Sequence, residues 1–180
     1  SRRCTIFYGE NGAGKSTLLE AIYYLGFGRS FRTSQHTRLI QNKEQEFSLF
    51  AELLDSRHNK TAIGIARSRE GARRIRHNGE NIASIAPLAQ LLPMQLISTD
   101  SYRYFHDGPK TRRQFLNWGL FHTEVSFYPL WQELLSLLKQ RNAALKSKRP
   151  LRELSAWTPE LIRVSSAIHA VRQIYVSALE

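Results

Sequence analysis

Residues 9–16, Gly-Glu-Asn-Gly-Ala-Gly-Lys-Ser, decide the fold of this chain because they match the phosphate-binding pattern G-x-x-x-x-G-K-[ST] at every fixed position. The three glycines permit positive φ angles and let the backbone wrap a phosphate without a clash from a Cβ atom. Backbone amides and the positive end of a following helix would then face the anion. The pattern therefore predicts a loop that binds the phosphates of a nucleotide.

Two side chains of this loop have a predicted chemical role. The ammonium group of Lys15 is expected to reach the β and γ phosphates, and the hydroxyl group of Ser16 is expected to bind Mg²⁺. The predicted cofactors are therefore ATP and Mg²⁺. The predicted cofactor-binding residues are Gly9, Glu10, Asn11, Gly12, Ala13, Gly14, Lys15, Ser16 and Thr17.

The residues on both sides of the loop provide the context that such a loop requires. Residues 4–8 are mostly apolar and predict a β-strand, while Leu18, Leu19, Ile22 and Leu25 have the spacing of one face of an α-helix. A strand of this kind normally lies between parallel neighbours, and nothing upstream supplies one. We therefore expect the chain to be a fragment of a longer protein.

The remaining residues predict a sheet followed by helices. Residues 47–53, 61–66 and 73–77 predict three strands of a β-meander, and a short helix over 82–91 and a strand over 94–97 are expected to follow.

Beyond this point the sequence becomes helical. Residues 110–122 predict one helix. Two longer apolar stripes, from Phe127 to Leu145 and from Leu161 to Ala178, flank a basic linker over residues 146–157. They predict an antiparallel helical hairpin.

Composition limits the classes of protein that the chain can represent. Its 180 residues (20.8 kDa) contain 26 Lys and Arg against 15 Asp and Glu, which gives a net charge of +11 and favours a polyanionic partner such as nucleic acid. No apolar run approaches the roughly 18 residues of a membrane span, which excludes an integral membrane protein. The single cysteine, Cys4, excludes a disulfide framework and indicates a reducing, cytoplasmic environment.

Arginines form two groups of candidate DNA-binding residues. In the meander they have two interpretations: they keep the strand edge soluble, or they contact the DNA backbone through its phosphates. The arginines after the first helix have three: they sense the nucleotide, contact DNA, or pair with nearby acidic residues. The candidates are Arg29, Arg32, Arg67, Arg69, Arg73, Arg74 and Arg76.

The catalytic half of an ATPase is not evident in the sequence. Hydrolysis needs a carboxylate that holds Mg²⁺ and a group that positions water. Asp100 is the nearest metal-ligand candidate, but polar residues separate it from the preceding apolar run. No catalytic residue is assigned, and we expect the chain to bind ATP without hydrolysing it alone.

Several separated segments resemble the RecF family of bacterial DNA replication and repair proteins, most of all its gammaproteobacterial members. These segments are residues 9–33, 91–97, 108–122 and 137–146. The resemblance implies an α/β fold, in which the P-loop head lobe of an ABC/SMC-like ATPase carries a β-meander and precedes a helical lobe. It places a partial nucleotide-binding lobe I in residues 1–107 and a partial helical lobe II in residues 108–180. The opening strands and the C-terminal signature and Walker B segments of the family would lie outside the chain.

The same resemblance implies an activity, a set of partners and a cellular process. RecF proteins are ATPases that form ATP-dependent homodimers, bind single-stranded, double-stranded and gapped DNA, and act with RecR and RecO to load RecA in recombinational repair and the SOS response. Two segments differ from the family pattern. Ser98-Thr99-Asp100 stands where the family usually has Ser/Thr-Pro-Glu, and Phe115-Leu116-Asn117 stands where it usually has Phe-Leu-Asp.

Two other functions remain open on the sequence alone. One is a P-loop kinase that acts on a small molecule and uses Asp100 as its metal ligand. The other is a structural DNA-binding module in which the loop grips a backbone phosphate.

Overall fold

A computed structural model describes residues 4–55, 57–102, 106 and 108–179. The chain forms two compact units, Ser1–Leu96 and Ile97–Glu180. The predicted boundary between lobes, after residue 107, falls inside the second unit and stays a prediction. Among the described residues, no helix combines the length and apolar character needed to cross a membrane.

The first unit contains a four-stranded antiparallel sheet in the order β1-β2-β3-β4. Its elements are helix α1 (Lys15–Phe27), a 3-10 turn (His36–Leu39), strands β1 (Glu46–Leu54), β2 (Lys60–Ser68), β3 (Arg73–His77) and β4 (Glu80–Asn81), and helix α2 (Ala86–Leu91). The predicted meander is therefore confirmed. The short strand β4 was not predicted, although Asn78 and Gly79, with φ angles of 48° and 86°, have the positive values of a tight hairpin turn.

Alternation along the strands places one face of the meander in the core. On β1, Phe47 and Leu49 pack inward, whereas Phe50, the residue after Leu49, is 71% exposed on the other face. The buried core of this unit joins this face to both helices. Its members are Tyr24, Leu25, Ile63, Ile65, Ile75 and Leu88.

The predicted apolar face of α1 is only partly correct. Leu25 is buried, but Leu18, Leu19 and Ile22 are 45%, 47% and 37% exposed. The meander covers α1 along its C-terminal half, where Tyr24 also packs. Helical spacing identifies an apolar stripe, but it does not say which neighbouring element covers that stripe.

Two predicted strands are absent. Residues 4–8 and 94–97 adopt no regular structure, and Ile6 and Ile97 are 76% and 85% exposed. A β-strand needs a neighbour to accept its backbone hydrogen bonds. In the described part of the chain no strand pairs with either segment.

The second unit is helical. It contains a 3-10 turn (Thr99–Tyr102) and helices α3 (Pro109–Thr123), α4 (Phe127–Lys146), α5 (Leu151–Ser155) and α6 (Thr158–Ser177). Trp157, just before α6, donates to Gln140 on α4 at 3.3 Å, and Arg163 further along α6 pairs with the earlier residue Glu133. This reversed order confirms the antiparallel hairpin.

Close packing of α3 against α6 depends on one small residue. A Cβ atom added to Gly119 would overlap the ring of Tyr175. Leu120, Phe127, Val164 and Ile168 fill the buried core around this contact.

Candidate nucleotide-binding site and arginine clusters

The phosphate loop has the backbone geometry that its glycines permit. Gly9, Gly12 and Gly14 have φ angles of 146°, 89° and 87°, which side chains with a Cβ rarely adopt. Gly14 is the N-cap of α1, and no side chain caps the helix there. The amides of the first turn therefore lack intrahelical acceptors, and unpaired amides at a helix N-terminus are the donors that favour an anion.

Lys15 connects the two ends of this loop. Its Nζ atom donates to the carbonyl oxygens of Gly9 and Glu10, at 2.8 and 2.7 Å. The ammonium group is thereby held over the loop backbone. Ser16 and Thr17 follow in the first turn of α1 with exposed side chains, and that turn contains no acidic residue.

A buried carboxylate on α1 organises the segment that follows the helix. Glu20 is only 8% exposed, and it accepts a hydrogen bond from the hydroxyl group of Ser30. Ser30 Oγ in turn accepts from the amides of Arg32 and Thr33, at 2.9 and 3.1 Å. The second Glu20 oxygen lies 3.5 Å from Arg32 Nη1. Glu20 is not among the residues predicted from the sequence, although an acidic residue within the apolar run of α1 was a usable signal.

Aromatic contacts hold the same segment against α1. Tyr23 stacks on Phe27 with a centroid separation of 4.2 Å and meets Phe31 edge-on at 5.4 Å. Within this segment, Arg32 forms an ion pair with Glu20. Arg29 is exposed and makes no ion pair with the described residues.

The five meander arginines do not form one surface. Arg69 donates to the backbone carbonyls of Gln41 and Glu44 at 3.0 and 2.7 Å and so anchors a loop.

On the outer face of the sheet, Arg74 pairs with Glu46 at 2.8 Å and Arg76 donates to Asn81 at 3.3 Å. Arg67 and Arg73 lie on the opposite face, as the alternation of the strands predicts for Arg73.

The structure leaves the predicted metal candidate untested. The backbone of Asp100 lies in the 3-10 turn of the second unit, and its side chain is outside the described residues. At the other departure from the family pattern, Asn117 accepts two hydrogen bonds from Arg172, at 3.2 and 2.7 Å. Burial lowers the pKa of Arg172, with a smaller effect from the nearby charge of Arg113.

The architecture of this chain is also found in solved structures. A solved structure described as the recombination mediator protein RecF-ATP in the RecFOR pathway superposes with a TM-score of 0.82 at 25% identity, over 94% of this chain and 47% of that one. The fold is thus an α/β P-loop head lobe of the ABC/SMC-like ATPase class, with a β-meander followed by a helical hairpin.

Sequence comparison then defines the family. Residues 1–167 match the model of the RecF/RecN/SMC N terminal domain, and the chain belongs to that family. It is 42% identical over 174 residues to the DNA replication and repair protein RecF of Shewanella loihica, and 45% identical over 174 residues to that of Coxiella burnetii. These matches cover 97% and 95% of this chain and 48% of each relative, so the chain spans about half their length. The resemblance to RecF proteins is confirmed.

The Glu20 network gives the first testable prediction. Replacing Glu20 with Gln removes the partner of Arg32 and leaves the Ser30 contact neutral, so we expect the first unit to lose roughly 1–2 kcal/mol of stability. Glu52→Gln is the matched control because Glu52 pairs with Lys60 at the surface, where an ion pair contributes little.

Hydrogen exchange of the β2 amides measures the stability of the first unit. The three tryptophans, Trp118, Trp131 and Trp157, lie in the second unit, so their fluorescence provides an internal reference. Equal β2 protection in the two variants would show that the Glu20 network contributes nothing.

Proposed function

We propose that the chain is the ATP-binding part of a RecF-type DNA-binding ATPase that acts in recombinational repair and in the processing of replication gaps. The observation that supports it best is the loop of residues 9–14, with positive φ at its three glycines and Lys15 held above its backbone. The solved RecF-ATP structure with the same fold supports ATP as the ligand.

In this proposal the loop binds the phosphates by exchanging one set of hydrogen bonds for a stronger one. The free amides at the start of α1 donate to phosphate oxygens, and the positive end of the helix favours the anion. Lys15 turns from two neutral carbonyl acceptors to charged phosphate oxygens, which form stronger hydrogen bonds. The loop is already folded, so little ordering is required.

Ser16 is the proposed protein ligand of Mg²⁺. Its hydroxyl group is exposed in the first turn of α1, directly after the lysine that contacts the phosphates. A bound Mg²⁺ ion would neutralise phosphate charge. Hydrolysis also needs a metal-binding carboxylate and a group that positions water. Asp100 is the nearest candidate for that carboxylate, but polar residues separate it from the preceding apolar run, so we infer ATP binding without turnover for the chain alone.

The proposed partners follow from the family and from charge. DNA, in single-stranded, double-stranded or gapped form, suits a chain with a net charge of +11. RecO, RecR and an ATP-dependent homodimer would be partners of the whole protein, acting in the cytoplasm in RecA loading and the SOS response. The comparisons do not favour a small-molecule kinase, since the matched relatives are named as DNA replication and repair proteins.

Lys15→Ala tests the nucleotide proposal. It removes the ammonium group that would contact the phosphates, so we expect the affinity for Mg·ATP to fall about 10- to 100-fold while the fold is kept. Calorimetric titration measures the affinity, and circular dichroism checks the fold. Lys60→Ala removes an equal charge from β2 and should leave ATP binding unchanged. Equal affinity of the Lys15→Ala chain and the unmodified chain would contradict the proposal.

Arg29→Gln distinguishes the two proposed roles of the segment after α1. If Arg29 contacts a DNA phosphate, duplex binding weakens and the slope of log affinity against log salt falls by about one. We expect this result, with ATP affinity unchanged. Lys60→Gln, which removes a lysine paired with Glu52, is the control. A loss of ATP affinity with an unchanged salt slope would assign Arg29 to the nucleotide instead.

A further inference from the structure

We infer that Arg67 and Arg73 form a second phosphate-binding site, on the core face of the meander and apart from the nucleotide loop. The inference relies on the proposed DNA binding only for the source of the phosphate. The site itself follows from the placement, partners and surroundings of the two arginines.

The strand register places the two arginines side by side on one face of the sheet. Arg67 on β2 is directly opposite Arg73 on β3, and the next inward pair along the ladder is Ile65 and Ile75. Like charges placed directly opposite one another destabilise a sheet. An anion that binds both groups offsets that repulsion, and it gains two forked cationic donors.

A cavity of about 510 Å³ lies beside this pair. Its volume suits a phosphate together with the group that bears it. Besides the two arginines, the lining residues are Gly71, Ile75, Ile82 and Ala83. None of these six residues is acidic.

Hydrogen bonding leaves donor capacity at Arg67. One terminal nitrogen, Nη1, donates to the hydroxyl oxygen of Tyr24 at 3.3 Å, and Tyr24 is itself 2% exposed. This contact connects one end of the guanidinium group to the core of the first unit. The Nε atom is buried and has no hydrogen-bond partner among the described residues. A buried donor without an acceptor is costly, so an anionic acceptor at this position is favourable.

The partners of the other meander arginines show why this pair is distinct. Arg69, Arg74 and Arg76 have protein acceptors, namely backbone carbonyls, Glu46 and Asn81. Within the described ranges neither Arg67 nor Arg73 forms an ion pair with a carboxylate.

A purely structural interpretation gives each side chain one contact, since Arg67 also donates to Tyr24, but it leaves the buried Nε atom of Arg67 without an acceptor. Nη1 of Arg73 would lie 3.3 Å from a Cβ added to Gly28, the C-cap of α1, where a cation favours the helix dipole. A shared anion would supply that acceptor and would also offset the repulsion between the two arginines.

The test follows the Arg67 Nε–H resonance by nuclear magnetic resonance while inorganic phosphate is added at constant ionic strength. We expect a saturable shift that sodium chloride does not reproduce. Arg73→Gln should weaken the phosphate response about tenfold or more, because one of two cationic donors is lost. Arg74→Gln is the matched control: it removes the same charge from the neighbouring residue on the other face, and it should stay within about twofold of the unmodified chain.

A second arm of the experiment identifies the source of the phosphate. A short duplex oligonucleotide that shifts the same resonance would assign the site to the DNA backbone. A response to inorganic phosphate but not to DNA would assign it to a small phosphorylated ligand, and either result supports the site. The Lys15→Ala chain should keep the Arg67 response, which separates this site from the proposed nucleotide loop.

Three results would overturn the inference. They are the absence of a saturable shift with both probes, an equal loss in the Arg73→Gln and Arg74→Gln chains, and the disappearance of the Arg67 response in the Lys15→Ala chain. The main readout uses the unmodified chain, so a variant that failed to fold would not prevent a decision.

Discussion

The packing of the C-terminal half of α1 against the inward face of the meander is the contact on which the first unit depends. Tyr24 and Leu25 meet Ile63, Ile65 and Ile75 in one buried core. Because this contact holds one end of the helix, the other end presents Gly14 and the phosphate loop in a defined position. The same helix fixes the arginine-bearing segment through Glu20. Hydrophobic burial at the C-terminal end of α1 thus positions the charged side chains Lys15 and Glu20 nearer its other end.

The sequence predicted correctly those elements that depend on neighbouring residues, namely the strands of the meander and the glycine loop. Alternation gave the three long strands, and the glycines of residues 9–14 gave a loop whose φ angles the structure confirms. Errors arose where long-range contacts decide the outcome. Leu18 and Ile22 have helical spacing but are exposed, and residues 4–8 have strand composition but no pairing partner among the described strands. A sequence pattern reports what a segment can bury or pair with, not whether the neighbour is present.

The arginines illustrate the same limit at the level of function. Proximity in sequence grouped five meander arginines as candidate DNA-binding residues, whereas the structure separates them by face and by partner. Arg69 anchors a loop, and Arg74 is neutralised by Glu46. Arg67 and Arg73 share the other face, beside a cavity. Side-chain alternation alone separated Arg73 from Arg74, but acceptors distant in sequence, such as Glu46 and Asn81, required the folded chain.

The central claim is that residues 9–17 bind a nucleotide through its phosphates. Equilibrium titration of the unmodified chain with ATP, ADP and AMP in the presence of Mg²⁺ tests it most directly, because the three ligands share base and ribose and differ in phosphate number. Loop amides and Lys15 that act on phosphate oxygens predict affinity that falls along this series, with AMP at least about tenfold weaker than ATP. Equal affinity for ATP and AMP would mean that the chain recognises the nucleoside, and it would contradict the account.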